Sequence, residues 1–490
     1  MRYVIRTLGC KANLADSQRI EAELQARGFM PWNSTAVRPA DVCVINSCTV
    51  TDEADRQTRR LAARLGRDHP GTAVVVTGCA AEVDPERLAH SKGIRYIVGN
   101  RDKPQLVDLI MKEISGREFS APDQDSDGRV LGIAQGYAEM LSRHPMDREW
   151  PAANDALGAP VPDLQGSSSK TRVFLKIQEG CNSFCTYCVI PYGRGPSRSL
   201  EPERIVEWVH SIVASGIREI VLTGTNIGDY GTDWAGEPML EKLLERVLGE
   251  TGIERLRVSS LDPTEITPGI VNLMCRDARL CPHFHVSLQS ASDRVLRLMK
   301  RRYGMAEVLD CFERMARVPA GVGGVFVGMD VIAGFPGETA LEFENGLKRF
   351  QELPWTRLHV FPYSERAGTP ATRLPDTVPV PVRHQRTRQL NELSFNRLSQ
   401  WNDQILEKSR QGALLQGVLL EKSGFHPDPS KIWFAGYTPN YVRVAVGVDA
   451  AAPKGPGVAR QHAIVSVRAY DVCQDSAGGG DIILISEVVA

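Results

Sequence analysis

Apolar and polar positions alternate along the first part of the chain in the pattern of successive strands and helices. The apolar runs are YVIRT (3–7), DVCVIN (41–46), AVVVTG (73–78) and YIVGN (96–100). Between them lie amphipathic segments such as ADSQRIEAELQARG (15–28), which ends on the glycine expected just beyond a helix. The pattern predicts an α/β domain over residues 1–115, built on a small doubly wound parallel sheet.

The composition changes over residues 116–168. This stretch is rich in Pro, Gly, Asp and Ser and has little apolar periodicity, apart from one predicted helical turn around AQGYAEMLSR. A structureless connection of this length is uncommon inside a compact domain, so we interpret it as a polar linker between two domains.

Strand-like and helix-like segments alternate again over residues 169–400. Six apolar runs mark the predicted strands: VFLKI (173–177), EIVLTG (219–224), RLRVSS (255–260), HFHVSL (283–288), GMDVIAGF (328–335) and RLHVFP (357–362). Most are followed by a helical pattern, which predicts a partial (β/α)6 barrel with its active groups at the carboxyl ends of the strands.

The last part of the chain has a different pattern. A long polar helix is predicted over 382–412, and short alternating runs then predict a small antiparallel β-barrel of OB-like type over residues 410–475. The tail DIILISEVVA is a candidate for one further strand.

Composition narrows the class of protein. The 490 residues carry a net charge of −1, so nucleic-acid binding would depend on local basic patches. The N-terminus lacks the pattern of a signal peptide, and no apolar run is long enough to span a membrane, so we expect a cytoplasmic protein without membrane association. Eleven cysteines in such a protein indicate metal or redox chemistry rather than disulfides.

Three cysteines directly follow the first predicted barrel strand. Cys181, Cys185 and Cys188 have the spacing C-x3-C-x2-C, one thiolate short of a closed site. They can hold three irons of a 4Fe-4S cluster and leave the fourth open for S-adenosylmethionine (SAM), in the manner of an open catalytic metal site. The alternative is a structural zinc site completed by a distant Cys or His. We refer to these three residues as the central cysteine set.

A second group of cysteines is distant in sequence but shares a topological position. Cys10, Cys48 and Cys79 each lie within a few residues of a predicted strand end, and such ends are neighbours along one edge of a parallel sheet. Two of them follow a glycine, which permits close backbone approach. They are a candidate second three-thiolate site, here the N-terminal cysteine set; the alternative is three unrelated core cysteines, as we interpret Cys43 to be.

Several longer sequence segments together resemble those of a known protein family. They are TLGCKAN, VINSCTVTDEADRQTRR, CNSFCTYCVIPYGRGPSRS, IVLTGTNIGDYG, SLQSASDRVLRLMKRRY, DVIAGFPGET and HVFPYSERAGTPA. Over nearly its full length the chain resembles the methylthiotransferase family of radical-SAM enzymes, and most closely the branch acting on N6-threonylcarbamoyladenosine in tRNA. The resemblance implies an N-terminal three-cysteine domain, a radical-SAM barrel and a C-terminal RNA-binding TRAM domain.

The same resemblance implies the cofactors and the reaction. An auxiliary 4Fe-4S cluster is expected on Cys10, Cys48 and Cys79, and a SAM-binding 4Fe-4S cluster on Cys181, Cys185 and Cys188. SAM would serve both as methyl donor and as radical source in methylthio transfer to adenine C2. An electron donor such as a flavodoxin or ferredoxin is implied, and we expect a monomer.

Further SAM contacts are predicted at strand ends. Glycine-rich backbone at TGTN (Gly224, Thr225, Asn226) and GFPGE (Gly334, Gly337) could approach the cosubstrate, and Tyr187 could pack near its nucleoside. The alternative is that these are ordinary loop glycines and a packed aromatic.

RNA contacts are predicted from basic patches. The candidates are Arg56 and Arg60 on one helical face and Arg194 and Arg198 just beyond the central cysteine set, with the runs RLMKRR (297–302) and RHQRTR (383–388). Aromatic residues of the terminal barrel could stack on bases: Trp433, Phe434, Tyr437 and Tyr441. A target base must be unstacked, which favours the anticodon loop. The alternative is that the basic faces are merely solvated.

Three rival functions remain. Two are the isopentenyladenosine branch of the same family and the branch that modifies an aspartate of a ribosomal protein. The third is a non-catalytic iron–sulfur RNA-binding protein, which would need only closed clusters, whereas both sets here have three cysteines.

Overall fold

The computed structural model of the protein describes residues 1–32, 39–114, 129–131, 144–157, 171–422, 428, 430–449, 461–475 and 481–489. The predicted helical turn around AQGYAEMLSR lies outside these ranges. Among the described helices, none combines the length and apolarity needed to cross a membrane.

The N-terminal region forms a six-stranded parallel sheet with helices connecting its strands. The strands are β1 (Arg2–Thr7), β2 (Met30–Pro31), β3 (Val42–Ser47), β4 (Ala73–Gly78), β5 (Tyr96–Val98) and β6 (Arg129–Leu131). The helices are α1 (Lys11–Ala26), α2 (Asp52–Asp68), α3 (Cys79–Val83), α4 (Pro85–Ala89) and α5 (Leu106–Ile114). The strand order is β2-β1-β3-β4-β5-β6, so the chain continues to one side after β1 and to the other side from β3 onward. Open α/β sheets bind ligands at such a switch point, here between β1 and β3.

Two strands of this sheet were not predicted. β2 has two residues and β6 has three, too few to show periodicity. β6 pairs with β5 although it comes from the predicted linker, so part of residues 116–168 completes the N-terminal sheet. Further along, helix α6 (Ala153–Leu157) places Leu157 in the core of the central domain. The linker interpretation is therefore wrong for these described parts.

The central region confirms the predicted six parallel strands. They are β7 (Arg172–Glu179), β9 (Glu219–Gly224), β10 (Arg255–Val258), β11 (His283–Gln289), β12 (Phe326–Ala333) and β13 (Arg357–Pro362). The helices are α7 (Ile190–Arg194), α8 (Pro202–Ala214), α9 (Thr232–Ala235), α10 (Leu240–Glu250), α11 (Pro268–Arg276), α12 (Asp293–Leu298), α13 (Met305–Met315) and α14 (Ala340–Glu352). The short strand β8 (Arg198–Ser199) pairs antiparallel with β7. Isolated bridges pair Leu256 of β10 with Leu280, just before β11, and Leu261, just after β10, with Val286 of β11.

The first helix of the N-terminal region covers the open edge of this barrel. β7 pairs with β9 on one side, and α1 lies along the other. There the backbone N–H of Phe174 donates to Gln18 Oε1 at 3.4 Å, and Lys176 forms an ion pair with Asp16. The N-terminal and central regions thus share a buried contact beside the residues that follow Cys10.

The C-terminal region begins with the long helix α15 (Val380–Arg410). Five strands follow: β14 (Leu415–Lys422), β15 (Lys431–Tyr437), β16 (Arg443–Asp449), β17 (Ile464–Asp475) and β18 (Asp481–Val489). They close into a barrel in the order β14-β15-β16-β18-β17. Two details differ from the prediction: β16 and β18 pair in parallel, and the barrel extends beyond residue 475 because β18 is part of it.

Candidate functional site

The register of the N-terminal sheet brings the N-terminal cysteine set together. Ser47 at the end of β3 pairs with Gly78 at the end of β4, so the next residues, Cys48 and Cys79, leave the sheet side by side. On the other side of β3, Asn46 pairs with Thr7 at the end of β1. Gly9 has φ +96°, and a Cβ there would lie 2.6 Å from Cys48 Cβ and 2.8 Å from its Sγ. The backbone before Cys10 therefore touches Cys48, and only glycine permits that approach.

The thiols of this set are close enough to affect one another. Burial raises the pKa of Cys48 to about 12, and the neighbouring Cys79 and Cys10 add to the rise. Cys48 and Cys79 are buried, whereas Cys10 is exposed. The three therefore form one group with an open side at Cys10.

The central cysteine set lies on the loop after β7, at the carboxyl end of the barrel. Each sulfur has an N–H donor: Ser183 N to Cys181 Sγ at 3.5 Å, Ile190 N to Cys188 Sγ at 3.4 Å, and Arg301 Nη1 to Cys185 Sγ at 3.1 Å. Burial raises the pKa of Cys188, and the thiols of Cys185 and Cys181 raise it further. Mutually close sulfurs with N–H donors suit thiolates that bind metal, because such hydrogen bonds stabilise negative charge on sulfur.

Arg194 connects the two cysteine sets. It lies in α7, six residues after Cys188, and is only 2% exposed. Its Nε donates to Cys79 Sγ at 3.2 Å, and its Nη1 donates to Glu179 Oε1 at 2.6 Å. A single buried side chain therefore spans from a sulfur of the N-terminal set to a carboxylate two residues before Cys181.

Arg194 belongs to a buried charge group that we call the Asp16 cluster. Its members are Asp16, Glu179, Lys103, Lys176 and Arg194, joined by five ion pairs. Burial alone would raise the pKa of Asp16, but Lys103, Lys176 and Arg194 outweigh it and hold the pKa well below its usual value. Glu179 behaves likewise, with its pKa lowered to about 2 mainly by Arg194 and Lys176 against the effect of burial. Three cations and two ionised carboxylates leave one positive charge beside Cys79.

The carboxyl groups near the central set have raised rather than lowered pKa values. Arg301, which contacts Cys185, forms an ion pair with Asp262, and the backbone N–H of Asp262 donates to Glu265 Oε2 at 2.8 Å. Burial and then the Asp262 carboxyl raise the pKa of Glu265 to about 8. Burial also raises the pKa of Asp229. Glu265 therefore holds its proton near neutral pH, and a cationic ligand group beside these carboxyl groups would favour their ionised form.

The predicted TGTN turn is held in place from β7. Gln178 Oε1 accepts from the backbone N–H of Thr225 at 3.0 Å and of Asn226 at 2.9 Å. Thr225 Oγ1 in turn accepts from Gly180 N at 3.2 Å, directly before Cys181. The structure therefore brings Thr225, and the adjoining Gly224 and Asn226, next to the central cysteine loop.

The other predicted SAM contacts lie near the same end of the barrel. Gly334 and Gly337 have positive φ, and Gly334 N donates to Glu338 Oε2 at 2.8 Å. The ring of Tyr187 lies edge-on to Phe335, with centroids 6.2 Å apart. Tyr187 and the GFPGE turn are therefore in contact with one another through Phe335.

The four arginines predicted to bind RNA fall into two pairs. Arg56 and Arg60 are exposed on α2 and form ion pairs with Glu53, with Arg60 73% exposed. Arg194 is buried in the Asp16 cluster, so the prediction that it contacts RNA phosphates is wrong. Arg198 lies over the Trp150 ring at 5.4 Å and donates to the carbonyl oxygens of Pro151 and Arg194, so it too is occupied inside the protein.

The aromatic residues of the C-terminal barrel are also mostly occupied. Trp433 is buried in the barrel core. Tyr437 and Tyr441 stack on each other at 4.7 Å, with Arg172 and Arg257 of the central barrel over their outer faces. These tyrosines dock the two barrels together, which corrects their prediction as base-stacking residues.

Sequence reasoning missed the residues that support the cysteines. Arg301 was assigned to a basic run for RNA, and Gln178 and Glu179 were not considered at all. The signal was present in their positions: Gln178 and Glu179 directly precede the central loop. Arg301 gave no such signal, because its contact with Cys185 spans more than a hundred residues.

The donor groups of the two cysteine sets bear on the kind of metal group that each could hold. Among the described residues, no three Cys, His, Asp or Glu side chains meet closely enough to hold one metal ion. A four-iron cluster spreads its ligands further apart than a single ion. Three thiols in each set, with N–H donors at all three sulfurs of the central set and at Cys79, are a donor set that would suit a 4Fe-4S cluster with one open iron.

Comparison with known proteins gives two family matches along the chain. A model of the radical SAM superfamily matches residues 175–350, and one of the uncharacterized protein family UPF0004 matches residues 2–99. The first region contains the central cysteine set and the second contains the N-terminal set.

Individual relatives cover most of the chain. A Bacillus subtilis (strain 168) protein named threonylcarbamoyladenosine tRNA methylthiotransferase MtaB is 33% identical over 449 residues, 89% of this chain and 88% of the relative. A Carboxydothermus hydrogenoformans protein named tRNA-2-methylthio-N(6)-dimethylallyladenosine synthase is 30% identical over 80% of this chain and 82% of the relative. Among solved structures, the radical SAM methyltransferase TsrM from Kitasatospora setae has a TM-score of 0.50 at 16% identity, covering 73% of this chain and 72% of that one. The last likeness concerns the fold alone.

Proposed function

The chain belongs to the radical-SAM methylthiotransferase family, in its threonylcarbamoyladenosine branch. We therefore propose that it adds a methylthio group to C2 of N6-threonylcarbamoyladenosine, the modified adenosine beside the anticodon of tRNA. A C–H bond of this kind has no acidic proton and no leaving group, so acid–base chemistry alone is poorly suited to it. The family implies a 4Fe-4S cluster and SAM as the means of activation.

We further propose that each cysteine set holds its own cluster. The central set would hold the cluster that binds and reduces SAM, and the N-terminal set a second cluster that supplies sulfur. The observation that carries this proposal is the contact between Arg194 and Cys79. Because α7 follows the central set by only a few residues, that contact supports a single reaction space beside both sets.

The chain's own residues have distinct tasks in this arrangement. Gln178 and Thr225 fix the TGTN turn against the central loop, where it can approach the cosubstrate. The carboxyl groups of Asp229, Asp262 and Glu265 would ionise more readily beside the positive charge of SAM, and Arg301 orients Cys185. Arg194 holds Cys79 and the loop before Cys181 in one relative position. An electron donor of the flavodoxin or ferredoxin class would reduce the central site.

The RNA-facing surface is proposed to include α2, where Arg56 and Arg60 remain exposed close in sequence to Cys48. Ionic contacts to phosphate would make tRNA binding depend on salt. Arg366 ties α2 to the end of the central barrel through its ion pair with Asp55 at 2.7 Å, so this surface is fixed relative to the site.

Nucleoside mass spectrometry of tRNA tests the assignment. A strain lacking the gene should lose 2-methylthio-N6-threonylcarbamoyladenosine and accumulate the unthiolated parent, and the wild-type gene should restore the modified form. A Cys181→Ala gene should not restore it, although the protein accumulates. Unchanged tRNA would refute the proposal, and loss of the methylthio dimethylallyl nucleoside instead would reassign the chain to the isopentenyladenosine branch.

A further inference from the structure

One exposed aromatic side chain lies at the carboxyl end of the central barrel. Phe361 is the next-to-last residue of β13, and its side chain is 43% exposed. Within the described parts of the chain, no other aromatic ring and no cationic side chain stacks on it. None of the functions assigned above uses this ring.

The alternation along β13 shows which way the Phe361 side chain faces. Residues two apart on a strand point to the same side. Arg357 and His359 line a cavity at the amino end of the barrel interior. Leu358 and Val360, by contrast, pack in the apolar core between the strands and the surrounding helices. Phe361 therefore stands on the inner face of the barrel, at the end where the central cysteine set lies.

The segment that follows Phe361 contacts the loops of both cysteine sets. Ser364 Oγ accepts from the backbone N–H of Asp52 at 2.9 Å, at the start of α2 and just after the second cysteine of the N-terminal set. Further on, the backbone N–H of Ala371 donates to the carbonyl oxygen of Thr186, within the central set, at 2.8 Å. The exposed ring thus directly precedes a segment that is hydrogen-bonded to both sides of the reaction space.

The neighbour of Phe361 in the sheet belongs to a different apolar group. Ile332 of β12 pairs with Phe361, and Ile332 and Tyr187 both pack on the buried cluster around Phe335. Tyr187 is the aromatic residue predicted to lie near the nucleoside of SAM. Phe361 lies outside that cluster, on the outer strand of the order β11-β12-β13. Its ring is therefore available for a ligand other than SAM.

An exposed aromatic face is a stacking surface for a nucleic-acid base. A base that leaves the stack of its own strand loses stacking energy, and an aromatic side chain restores part of that energy. The proposed reaction requires an adenine ring that is held firmly while its C2 atom stays accessible. Stacking meets both requirements, because it engages the face of the ring and leaves the edge free.

We propose that the Phe361 ring stacks on the adenine of the target nucleoside in the tRNA loop and holds the C2 edge of that base between the two cysteine sets. This inference rests on the proposed function. It makes Phe361 a substrate-binding residue. Because every base offers a flat face, the contact does not depend on the substituent at N6.

The test uses the full chain with both clusters and measures dissociation constants for two anticodon stem-loop RNAs. One RNA carries threonylcarbamoyladenosine at the target position, and the other carries an abasic ribose there. Phe361→Ala should weaken binding of the first RNA about tenfold, the size of one stack between a base and an aromatic side chain, and leave binding of the abasic RNA unchanged. Phe361→Tyr, which keeps an aromatic face, should bind both RNAs as the wild type does.

The chain offers a matched control at Phe395. This residue is 45% exposed on α15, outside the barrel, so Phe395→Ala should change neither dissociation constant. Iron content and SAM binding of Phe361→Ala should equal those of the wild type, since the ring is exposed and contacts neither cysteine set.

The opposing outcomes are distinguishable. Equal weakening for both RNAs would mean that Phe361 does not act through the target base, and would overturn the proposal. Unchanged binding of the first RNA by Phe361→Ala would overturn it as well, and an accompanying loss of SAM binding would assign the ring to the cosubstrate. Failure of the wild type to methylthiolate the threonylcarbamoyl RNA would instead refute the proposed function, whereas the comparison with abasic RNA would still decide whether Phe361 stacks on the base.

Discussion

The N-terminal cysteine set is assembled from three strand ends about thirty or more residues apart in sequence, whereas the central set lies within one loop of eight residues. The first exists only when β1, β3 and β4 pair in register. The second needs only the loop after β7 and its N–H donors. The long-range set therefore depends on the stability of a whole domain, and the local set on one segment.

The two cysteine sets share an arginine-to-sulfur hydrogen bond and differ in the pKa values of the carboxyl groups around that arginine. In each, an arginine donates to one sulfur: Arg194 to Cys79 at 3.2 Å and Arg301 to Cys185 at 3.1 Å. Arg194 stands among carboxylates whose pKa values are lowered by surplus cations, and Arg301 among carboxyls whose pKa values are raised by burial. The carboxyl groups on the N-terminal side therefore stay ionised, whereas those on the central side hold their protons to higher pH.

The largest expected effect comes from removing either set entirely. Replacement of Cys181, Cys185 and Cys188 by Ala should leave one cluster's worth of iron and abolish SAM cleavage and methylthio transfer. The matching triple replacement of Cys10, Cys48 and Cys79 should also leave one cluster's worth of iron, but SAM cleavage should persist while methylthio transfer is lost. Iron analysis and a SAM-cleavage assay measure both. Parental iron content in either variant would contradict the two-site arrangement.

Local sequence patterns point to the cysteines but not to the residues around them. Thiols at strand ends follow from local patterns, since a strand end and a preceding glycine can be recognised within a few residues. Arg194 and Arg301 were placed on an RNA surface because a basic run looks the same whether solvated or buried. Their partners, such as Asp16 and Asp262, are distant in sequence, and only the packing of α1 on β7 and of the barrel strands brings them together. The short strands β2 and β6 were missed for the related reason that two or three residues have no period.

The arginines provide a second way to separate the sets. Arg194→Met would leave Asp16 and Glu179 buried with fewer partners, so we expect a loss of about 3–5 kcal/mol in the free energy of unfolding. Arg301→Met should cost about 1–3 kcal/mol, since Asp262 is partly exposed. Denaturant unfolding of the full chain measures both, and Arg60→Met, at an exposed position, should change stability by less than about 0.5 kcal/mol.

These variants should also differ in their spectra. Hydrogen bonds to sulfur help set the potential of an iron–sulfur cluster. Arg194→Met should therefore alter the electron paramagnetic resonance signal and potential of the N-terminal cluster, and Arg301→Met those of the central one. If each variant changed the signal and the potential of both clusters equally, the two arginines would not each support a separate cluster.

The smallest expected effect is a dependence of stability on pH that arises from Glu265 on the central side of the site. The pKa of Glu265 is raised to about 8 in the folded protein, against roughly 4.3 in an unfolded chain. The folded state then binds a proton that the unfolded state lacks, so this contribution is present at pH 4 and is lost as the pH rises towards 8. Asp16 and Glu179, with lowered pKa values, keep their contribution throughout that range and lose it only at more acidic pH.

Between pH 5 and 8.5 the iron-free chain should lose roughly 2 kcal/mol of stability, less than a lone Glu265 would give because Asp262 shares the proton. Glu265→Gln should flatten this profile in denaturant titrations, whereas Glu179→Gln should lower stability by a similar amount at every pH in the range. If Glu265→Gln left the dependence of stability on pH unchanged, the pKa values of the carboxyl groups on the two sides of the site would not differ as described.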